Sequence, residues 1–202
     1  MLQVLDLSYN DLMGPIPTFL GKLTELYLSG NGLSGSIPES IGRFAALTAL
    51  YVNNNKLSGT IPDSIGQLSK LQFLDVSRNR LIGSIPVSIG QLSKLQFLDV
   101  SSNRFGSIPV SIGQLSKLQF LDVSSNRLIR LIGSIPISIG QLSELSTLDI
   151  SNNSLEGAVS ESHLANLSML EDLNTAYNNK LCWCTCVCTL SVFGLYVNDV
   201  LS

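Results

Sequence analysis

Residues 71–94, "LQFLDVSRNRLIGSIPVSIGQLSK", form one complete unit of a pattern that recurs along most of this 202-residue chain. Apolar and polar residues are interleaved at its start, as in a β-strand with one buried face. The inward side chains are predicted to be Leu71, Leu74 and Val76, and the outward ones Phe73, Asp75, Ser77 and Arg78. Further buried positions are predicted on the return of the chain, at Leu81, Ile85, Ile89 and Leu92. Each unit therefore reads as a strand, a turn and a short return.

An asparagine marks the turn of every unit, and we predict that it turns the chain away from the sheet. The eight are Asn10, Asn31, Asn55, Asn79, Asn103, Asn126, Asn153 and Asn178, separated by 21 to 27 residues. This period is typical of a leucine-rich repeat. Because an amide both donates and accepts hydrogen bonds, we expect the asparagines to pair with backbone groups of neighbouring coils and to form a structural ladder.

The repeats predict an α/β solenoid across residues 1–180, with about eight units and a parallel sheet on the concave face. We expect 3-10, short-helical or irregular returns on the convex face. A single unit cannot bury its apolar stripe alone, so the stack itself makes the core. Residues 181–202 break the pattern and are predicted to form an apolar, cysteine-containing tail that is not a repeat.

The stack contains three irregularities. The same 22-residue string occupies 83–104 and 106–127, which indicates a tandem duplication, and the adjoining "NRFGSIP" is one residue short. A repeated Arg-Leu-Ile in "NRLIRLIGSIP" is predicted to bulge outside the stack. Three residues are missing within "LGKLTELYLSGN", where we expect a local distortion. Neither end has a capping unit, which suggests an internal piece of a longer protein.

Composition excludes several classes of partner. Only 13% of the residues are charged, the formal net charge is −3, and Lys and Arg do not cluster. We therefore expect neither nucleic acid nor an anionic membrane surface as a partner. The first residues contain no basic and apolar leader, so we predict no signal peptide there.

The outward strand positions predict two columns across the concave face. One contains three phenylalanines, and the other contains two tyrosines followed by four aspartates. With their neighbours, they give the candidate ligand contacts Tyr27, Tyr51, Phe73, Asp75, Arg78, Phe97, Asp99, Phe120, Asp122, Asp149 and Asn152. The more varied ends, around the tyrosines and residues 147–152, are better suited to selective contacts than the near-identical central repeats.

Exposed aromatic side chains beside carboxylates suit a protein or peptide partner. The three phenylalanines could equally pack on one another, and this alternative stays open at the sequence level. A row of carboxylates about 5 Å apart is tolerable in water and does not indicate acid–base catalysis.

No catalytic motif is found. The sole histidine, His163, has no cysteine or acidic partner at a useful spacing and is predicted to be a surface residue. No phosphate-binding loop, kinase signature or nucleophile elbow occurs. We predict no enzyme activity, no cofactor and no metal. Two N-glycosylation acceptor sequences occur, at Asn152 and Asn166, and the latter is easier to modify if the chain is secreted.

The four cysteines, Cys182, Cys184, Cys186 and Cys188, all fall in the tail. Alternate residues of a strand are about 6.7 Å apart, which is poor geometry for either a zinc site or adjacent disulfides. Residues 181–197 carry no charge and sit at the lower limit for a membrane-spanning helix, so membrane association stays open. We favour the hypothesis that the tail is translated noncoding sequence, because its composition is that encoded by thymine-rich DNA.

The motifs "LSGSIPESIG", "LSGTIPDSIGQL" and "LDLSYNDLMGPIP" resemble the plant-specific class of leucine-rich repeats found in receptor-like kinases and receptor-like proteins. The segment "LDISNNSLEGAVSESHLANLSMLEDL", in which Ser160 replaces the usual proline, resembles plant receptor-like proteins that perceive fungal xylanase and trigger defence. The resemblance implies a glycoprotein ectodomain at the plasma membrane, a protein or peptide ligand, and a co-receptor kinase as a further partner.

Two other hypotheses remain open at this level. The missing leader permits an intracellular leucine-rich-repeat scaffold. Alternatively, the chain is a truncated gene product without an independent function.

Overall fold

The computed structural model describes residues 2–18, 22–126 and 132–183, apart from the side chain of Ile132. Its strands are short and recur twice per coil. In chain order they are β1 (Val4–Asp6), β2 (Met13–Gly14), β3 (Glu25–Tyr27), β4 (Gly32–Gly35), β5 (Ala49–Tyr51), β6 (Lys56–Gly59), β7 (Phe73–Asp75), β8 (Arg80–Gly83), β9 (Phe97–Asp99), β10 (Arg104–Phe105), β11 (Phe120–Asp122), β12 (Ile132–Gly133), β13 (Thr147–Asp149), β14 (Ser154–Val159), β15 (Asp172–Asn174) and β16 (Lys180–Trp183).

The concave face is a sheet of eight parallel strands in the order β1-β3-β5-β7-β9-β11-β13-β15. Every strand pairs with the equivalent strand of the next coil, so equivalent residues lie side by side across the sheet. This arrangement confirms the predicted solenoid with a parallel concave sheet.

A second set of ladders runs along one flank. Strands β10-β8-β6-β4-β2 form a five-stranded sheet, and β12-β14-β16 form a three-stranded one. The "L-x-G" segment of the repeat builds most of these strands, and β2, β4, β6, β8 and β12 end at a glycine with positive φ, such as Gly83 at 82°. Glycine suits this point because it adopts that conformation without strain.

The returns are short helices. They are the 3-10 helices η1 (Glu39–Arg43), η2 (Asp63–Gln67), η3 (Val87–Gln91), η4 (Val110–Gln114) and η5 (Ile137–Gln141), and the α-helix α1 (Glu161–Leu164). A proline precedes each 3-10 helix, as Pro86 does with φ −67°. Its fixed φ starts the turn, and its carbonyl accepts a hydrogen bond from the Ile89 N–H at 3.0 Å. The returns therefore have the 3-10 and short-helical forms expected from the sequence.

The coils approach very closely along these returns. A Cβ atom added to Gly90 would lie 2.6 Å from the Ser111 carbonyl oxygen of the next coil. The equivalent contact at Gly66 is 2.6 Å from the Ser88 carbonyl oxygen. The glycine of the "SIG" motif is therefore required by coil-to-coil packing, since a backbone carbonyl cannot move aside as a side chain would.

Inside the coils, leucine, isoleucine and valine side chains form one continuous buried cluster from Ile16 to Leu173. Phe105 lies in this cluster and is fully buried. It occupies the leucine position of the coil that is one residue short. The shortened coil keeps its place on the flank, where the Gly106 N–H donates to the Gly83 carbonyl at 2.7 Å.

The turn asparagines connect the coils. Asn103 Nδ2 donates to the Val76 carbonyl of the preceding coil at 3.0 Å and to carbonyls of its own coil. Its Oδ1 accepts from the Leu81 N–H. Asn55 and Asn178 make the same two kinds of bond. Each amide thereby satisfies a backbone N–H of one coil and backbone carbonyls of two coils.

The reversal itself falls one residue before each asparagine. Seven non-glycine residues there have φ between 51° and 59°; they are Tyr9, Asn54, Arg78, Ser102, Ser125, Asn152 and Tyr177. Gly30 holds the same place in the second coil, with φ 66°. The prediction that the asparagine turns the chain is corrected in this respect: the preceding residue reverses the backbone, and the asparagine amide secures the result.

The predicted irregularities have different outcomes. Strand β3 stays in register with β1 and β5, and Leu23 and Leu26 are both buried, so the expected distortion does not reach the concave sheet. Residues 19–21 of that return lie outside the described residues. So do residues 127–131, which include the predicted bulge.

Part of the predicted tail is described. Leu181, Cys182 and Trp183 belong to β16, which continues the flank ladder by pairing with β14. Residues 184–202, with the other three cysteines, lie outside the described residues, so the boundary and the origin of the tail stay predictions. Within the described ranges, no helix has both the length and the apolar character that crossing a membrane requires.

Candidate ligand-binding face

The concave sheet places the predicted contact residues in two columns. In one, Phe73, Phe97 and Phe120 lie opposite one another on β7, β9 and β11. In the other, the strand register runs Asp6, Tyr27, Tyr51, Asp75, Asp99, Asp122, Asp149 and Asn174. The predicted columns are therefore confirmed as spatial rows; their contact with a ligand stays a proposal.

The first half of the face carries a tyrosine pair. The rings of Tyr27 and Tyr51 stack with centroids 5.1 Å apart and planes 16° from parallel. The Tyr27 hydroxyl donates to the Glu25 carboxylate at 2.8 Å. This hydrogen bond, with burial and the negative charge of Glu25, raises the pKa of Tyr27 to about 12. The pair is thus a rigid aromatic surface with its polar edge fixed.

The second half carries a phenylalanine pair. Phe97 and Phe120 stack nearly parallel at 4.5 Å, and both side chains are half-buried. The stacking supports the alternative in which these rings pack on one another. Both rings are still partly exposed on the concave face, because neither is fully buried.

The aspartates of the row share one hydrogen-bonding arrangement. Oδ1 of Asp75, Asp99, Asp122 and Asp149 accepts from the backbone N–H two residues later, at 2.7–3.0 Å. In each case that donor is a serine, so a recurring Asp-x-Ser pattern restrains the carboxylates. The aspartates were predicted as contacts, but the role of the serines that restrain them was not, although the Asp-x-Ser pattern recurs in the sequence.

The second oxygen differs along the row. Oδ2 of Asp149 accepts from Asn174 Nδ2 at 3.0 Å. For Asp75, Asp99 and Asp122, no hydrogen bond to Oδ2 occurs among the described residues. Three neighbouring carboxylates therefore each keep one acceptor oxygen available.

Burial and mutual repulsion change the acidity of this row. Desolvation, with the negative charges of Asp99 and Asp149, raises the pKa of Asp122 to about 6, against the lowering effect of the Ser124 hydrogen bonds. Burial also raises the pKa of Asp75, with a further contribution from Asp99, while Ser77 and Arg78 oppose the shift. Asp75 and Asp122 thus hold their negative charge less readily than a solvent-exposed aspartate would.

Four predicted positions need correction or refinement. Asp75 and Ser77 were expected to face outward, but both are buried, because the Ser77 hydroxyl and N–H fold over the carboxylate at 2.7 and 3.0 Å. Arg78 is exposed at the positive-φ turn. Asn152 is half-buried at the equivalent turn, and its Nδ2 donates to Ser125 Oγ at 2.8 Å.

The prediction for His163 is wrong, since the side chain is 6% exposed. Its Nδ1 accepts from the Ser160 N–H at 3.1 Å, which places the ring proton on Nε2, within 3.1 Å of the Ile135 carbonyl oxygen that accepts it. Ser160 stands where the other returns have proline, which has no N–H to donate. The histidine therefore caps α1 and ties it to the preceding coil.

A shallow open cleft occurs at the edge of the last coils. It is lined by Gln119, Glu144, Ser146, Ser168, Met169, Leu170 and Glu171. Glu144 forms an exposed ion pair with Lys117. Within the described part of the chain, no three His, Cys, Asp or Glu side chains are arranged to hold a metal ion.

Three family models match the sequence. The model described as "Leucine-rich repeat region" matches residues 77–191, which is more than half of the chain. Models described as "Leucine rich repeat" match residues 21–81 and 1–23. No curated protein matches the chain significantly.

Several solved structures are similar. The Arabidopsis receptor kinase HAESA, solved with the peptide hormone IDA and the co-receptor SERK1, is 39% identical, with a TM-score of 0.81 over 87% of this chain. The plant peptide hormone receptor RGFR1, in complex with RGF2, is 37% identical, with a TM-score of 0.71 over 89% of this chain. A plant ice-binding protein is 30% identical, with a TM-score of 0.77 over 86% of this chain.

The match covers only part of each of these proteins. It covers 30% of the HAESA chain, 32% of the RGFR1 chain and 56% of the ice-binding protein. The stacked coils, the parallel concave sheet and the family model over residues 77–191 agree with one another. This chain belongs to the leucine-rich repeat family.

Proposed function

We propose that the chain is a protein-recognition module of a plant receptor-like ectodomain, which binds an extended peptide across its concave face. The observation that carries this proposal is the pair of side-chain rows that crosses consecutive strands in register. Support also comes from HAESA and RGFR1, which were solved as complexes with peptides. A co-receptor kinase is the second partner in this proposal, as SERK1 is for HAESA.

The chemistry of the face suggests the character of the peptide. Among the described residues, Oδ2 of Asp99 and Oδ2 of Asp122 accept no hydrogen bond, and they suit a positively charged or N–H-rich group. A cation there would offset the burial and the neighbouring negative charges that raise the pKa of Asp122. The Phe97–Phe120 stack offers an adjoining apolar surface. We therefore infer a peptide in which a basic side chain is close to an apolar or aromatic one. The basic side chain would contact the aspartate row, and the apolar one would contact the phenylalanine stack.

The finer assignment is also part of the proposal. A location at the plasma membrane, a glycoprotein ectodomain and a role in defence, in the class that perceives fungal xylanase, are supported by the resemblance of the repeat motifs and of the segment around Ser160. We propose no catalytic activity, because the side chains of the concave face suit the binding of a ligand.

Selection from a displayed library of random peptides tests the proposal, with the immobilised full chain as bait. We expect enrichment of peptides that combine Arg or Lys with an apolar residue. Loss of binding is expected in the double variant Asp99→Asn/Asp122→Asn, which keeps the size of both side chains. Gln91→Ala, on the exposed convex side, is the matched control and should bind as well as wild type. Equal binding by the double variant would contradict this assignment of the face.

A second candidate function, adsorption to ice, is favoured by the surface beside the returns. Val87, Val110 and Ile137 occupy the same position of η3, η4 and η5 and are 72%, 73% and 64% exposed. Ser84 and Ser107 lie nearby in successive coils, with their hydroxyls hydrogen-bonded at 2.8 Å. Over these three coils the strip repeats once per coil and carries no charge, whereas the equivalent positions of η1 and η2 are Glu39 and Asp63. The plant ice-binding protein among the similar structures supports testing it.

An ice-recrystallisation assay separates the two candidates. If ice adsorption is the function, the chain slows crystal coarsening, and Val110→Asp abolishes the effect. The fold accepts aspartate here, because Asp63 occupies the equivalent position of η2. Crystal coarsening that is the same with and without the chain would exclude this second candidate.

A further inference from the structure

The two N-glycosylation acceptor sequences have different structural environments. One is Asn152-Asn153-Ser154, and the other is Asn166-Leu167-Ser168. A glycan is attached through the side-chain nitrogen and needs open space beyond it. The folded chain can therefore hold a glycan only at an acceptor asparagine whose side-chain nitrogen faces open space.

The side chain of Asn152 takes part in a contact between coils. Its Nδ2 donates to Ser125 Oγ of the preceding coil at 2.8 Å. Its Oδ1 is buried, with no hydrogen-bond partner among the described residues, and its backbone is in the left-handed region at φ 57°. A sugar on Nδ2 would replace one of the two N–H groups of this amide and would have to fit beside Ser125 of the preceding coil, where the side chain is half-buried. The following residue, Asn153, is itself buried and bonded to two backbone carbonyls.

Asn166 is in the opposite situation. It is exposed, as is Ser168 at the hydroxyl position of the acceptor sequence. No hydrogen bond of the Asn166 side chain occurs within the described residues. Its neighbour Leu167 is 6% exposed and anchors the segment to the core. Asn166 thus projects from a fixed backbone into solvent.

The repeat shows which side of the solenoid Asn166 occupies. The Leu167 N–H donates to the Leu164 carbonyl just as the Leu142 N–H donates to the Ile139 carbonyl one coil earlier. Asn166 therefore corresponds to Gln141, the residue before that buried leucine. The equivalent residues of the other returns are Arg43, Gln67, Gln91 and Gln114, and all are exposed on the convex side. A glycan there leaves the concave rows uncovered.

We propose that Asn166 is an N-glycosylation site of this protein and that Asn152 is not. The inference rests on the proposed extracellular function, because the modification requires the secretory pathway. Asn166 Nδ2 attacks the anomeric carbon of an oligosaccharide carried on a lipid pyrophosphate. The new N–C bond replaces the C–O bond to the pyrophosphate, the amide loses one proton, and the lipid pyrophosphate leaves.

Secretion of the full chain behind a cleavable leader, in insect cells, tests the site directly. A peptide N-glycosidase in ¹⁸O-labelled water removes the glycan and converts each glycosylated asparagine into ¹⁸O-labelled aspartate. Peptide mass spectrometry then locates the labelled residue. We expect the label at Asn166 in wild type and in Asn152→Gln. We expect no label in Asn166→Gln or Ser168→Ala, and renewed label in Ser168→Thr, which restores the hydroxyl.

Secreted wild-type protein without label at Asn166, or with label at Asn152, would overturn the inference. The wild-type result stands even if a variant fails to fold. Failure of the proposed function is separable: a labelled Asn166 in a chain that selects no peptide would refute ligand binding only. Peptide binding by a secreted chain with an unmodified Asn166 would refute only the glycosylation site.

Discussion

Oδ1 of Asn103 accepts a hydrogen bond from the backbone N–H of Leu81, in the preceding coil, at 3.0 Å. The same amide donates to the Val76 carbonyl of that coil. One buried side chain therefore links two stacked coils, in addition to the backbone pairing of the two sheets.

Replacement of Asn103 by alanine should destabilise the chain strongly. It leaves the buried Leu81 N–H without its acceptor, at about 1–3 kcal/mol for an unsatisfied group, and it removes one of the two amides that donate to the Val76 carbonyl, which keeps Asn79 Nδ2. We expect the free energy of unfolding, from urea denaturation followed by circular dichroism, to fall by about 2 kcal/mol. Asn10→Ala is the control, because Asn10 is exposed and bonds only within its own coil. Equal losses in the two variants would contradict the inter-coil role.

The serine of the "SIG" motif offers a matched pair of substitutions. Ser88 Oγ is buried with no partner among the described residues, whereas Ser138 Oγ, at the same position two coils later, donates to the Val110 carbonyl at 2.7 Å. Ser138→Ala should lower the free energy of unfolding by about 1 kcal/mol, because a hydrogen bond is lost. Ser88→Ala should leave it unchanged or raise it. A greater loss at Ser88 than at Ser138 would argue against this account.

Gly90→Ala should prevent normal stacking of the returns. The added methyl group would lie 2.6 Å from the Ser111 carbonyl oxygen, so η3 and η4 would have to separate. Overpacking of this kind costs about 1–3 kcal/mol. Gly14→Ala is the comparison, since Gly14 has φ 87° but no atom within 4 Å of the added carbon. Gly90 is not a positive-φ position, so backbone strain adds nothing there, and a Gly90→Ala variant as stable as wild type would contradict the inter-coil contact.

Asp122 should make stability depend on pH in the unusual direction. Its pKa in the folded chain is about 6, against an ordinary 3.8, so the folded state holds more protons between these values. The free energy of unfolding should therefore fall as pH rises through this window and level off above it. We expect a loss of about 1 kcal/mol, once solvent screening of the half-buried carboxylate is allowed for.

Asp122→Asn should remove this loss, because the amide keeps the acceptor for the Ser124 N–H and does not ionise. Urea denaturation at a series of pH values checks it. Asp99→Asn is a second probe: it removes a negative charge that raises the pKa of Asp122, so the decline should move to lower pH. The same pH profile in wild type and Asp122→Asn would refute the assignment.

Much of the candidate face follows from the sequence period. Once the strands stack in register, each outward position repeats on the next strand, so the phenylalanine and aspartate rows could be predicted from residue numbers alone. The burial of Asp75 could not, because it depends on the Ser77 hydroxyl folding over the carboxylate. The stack of Phe97 and Phe120 also depends on ring orientation, which strand register leaves open.

The burial of His163 could not be predicted from the sequence either. The sequence contained a lone histidine without a catalytic partner, and this suggested the surface. Its burial arises from contacts that cross coils: Nε2–H reaches the Ile135 carbonyl, 28 residues earlier, and Nδ1 accepts the N–H that exists only because Ser160 replaces proline. The sequence pattern around His163 does not predict a hydrogen-bond partner 28 residues earlier in the chain.

The sequence by itself determined the solenoid, its strand columns and the form of its returns, because each repeat can bury its leucines only against another copy of itself. The tertiary structure decided which polar groups the stack uses and which it leaves to solvent. Asn152 and Asn166 have the same acceptor motif, yet one amide bonds to Ser125 of the preceding coil and the other projects into water. That difference arises from inter-coil distances, which depend on how neighbouring coils pack and not on the motif alone.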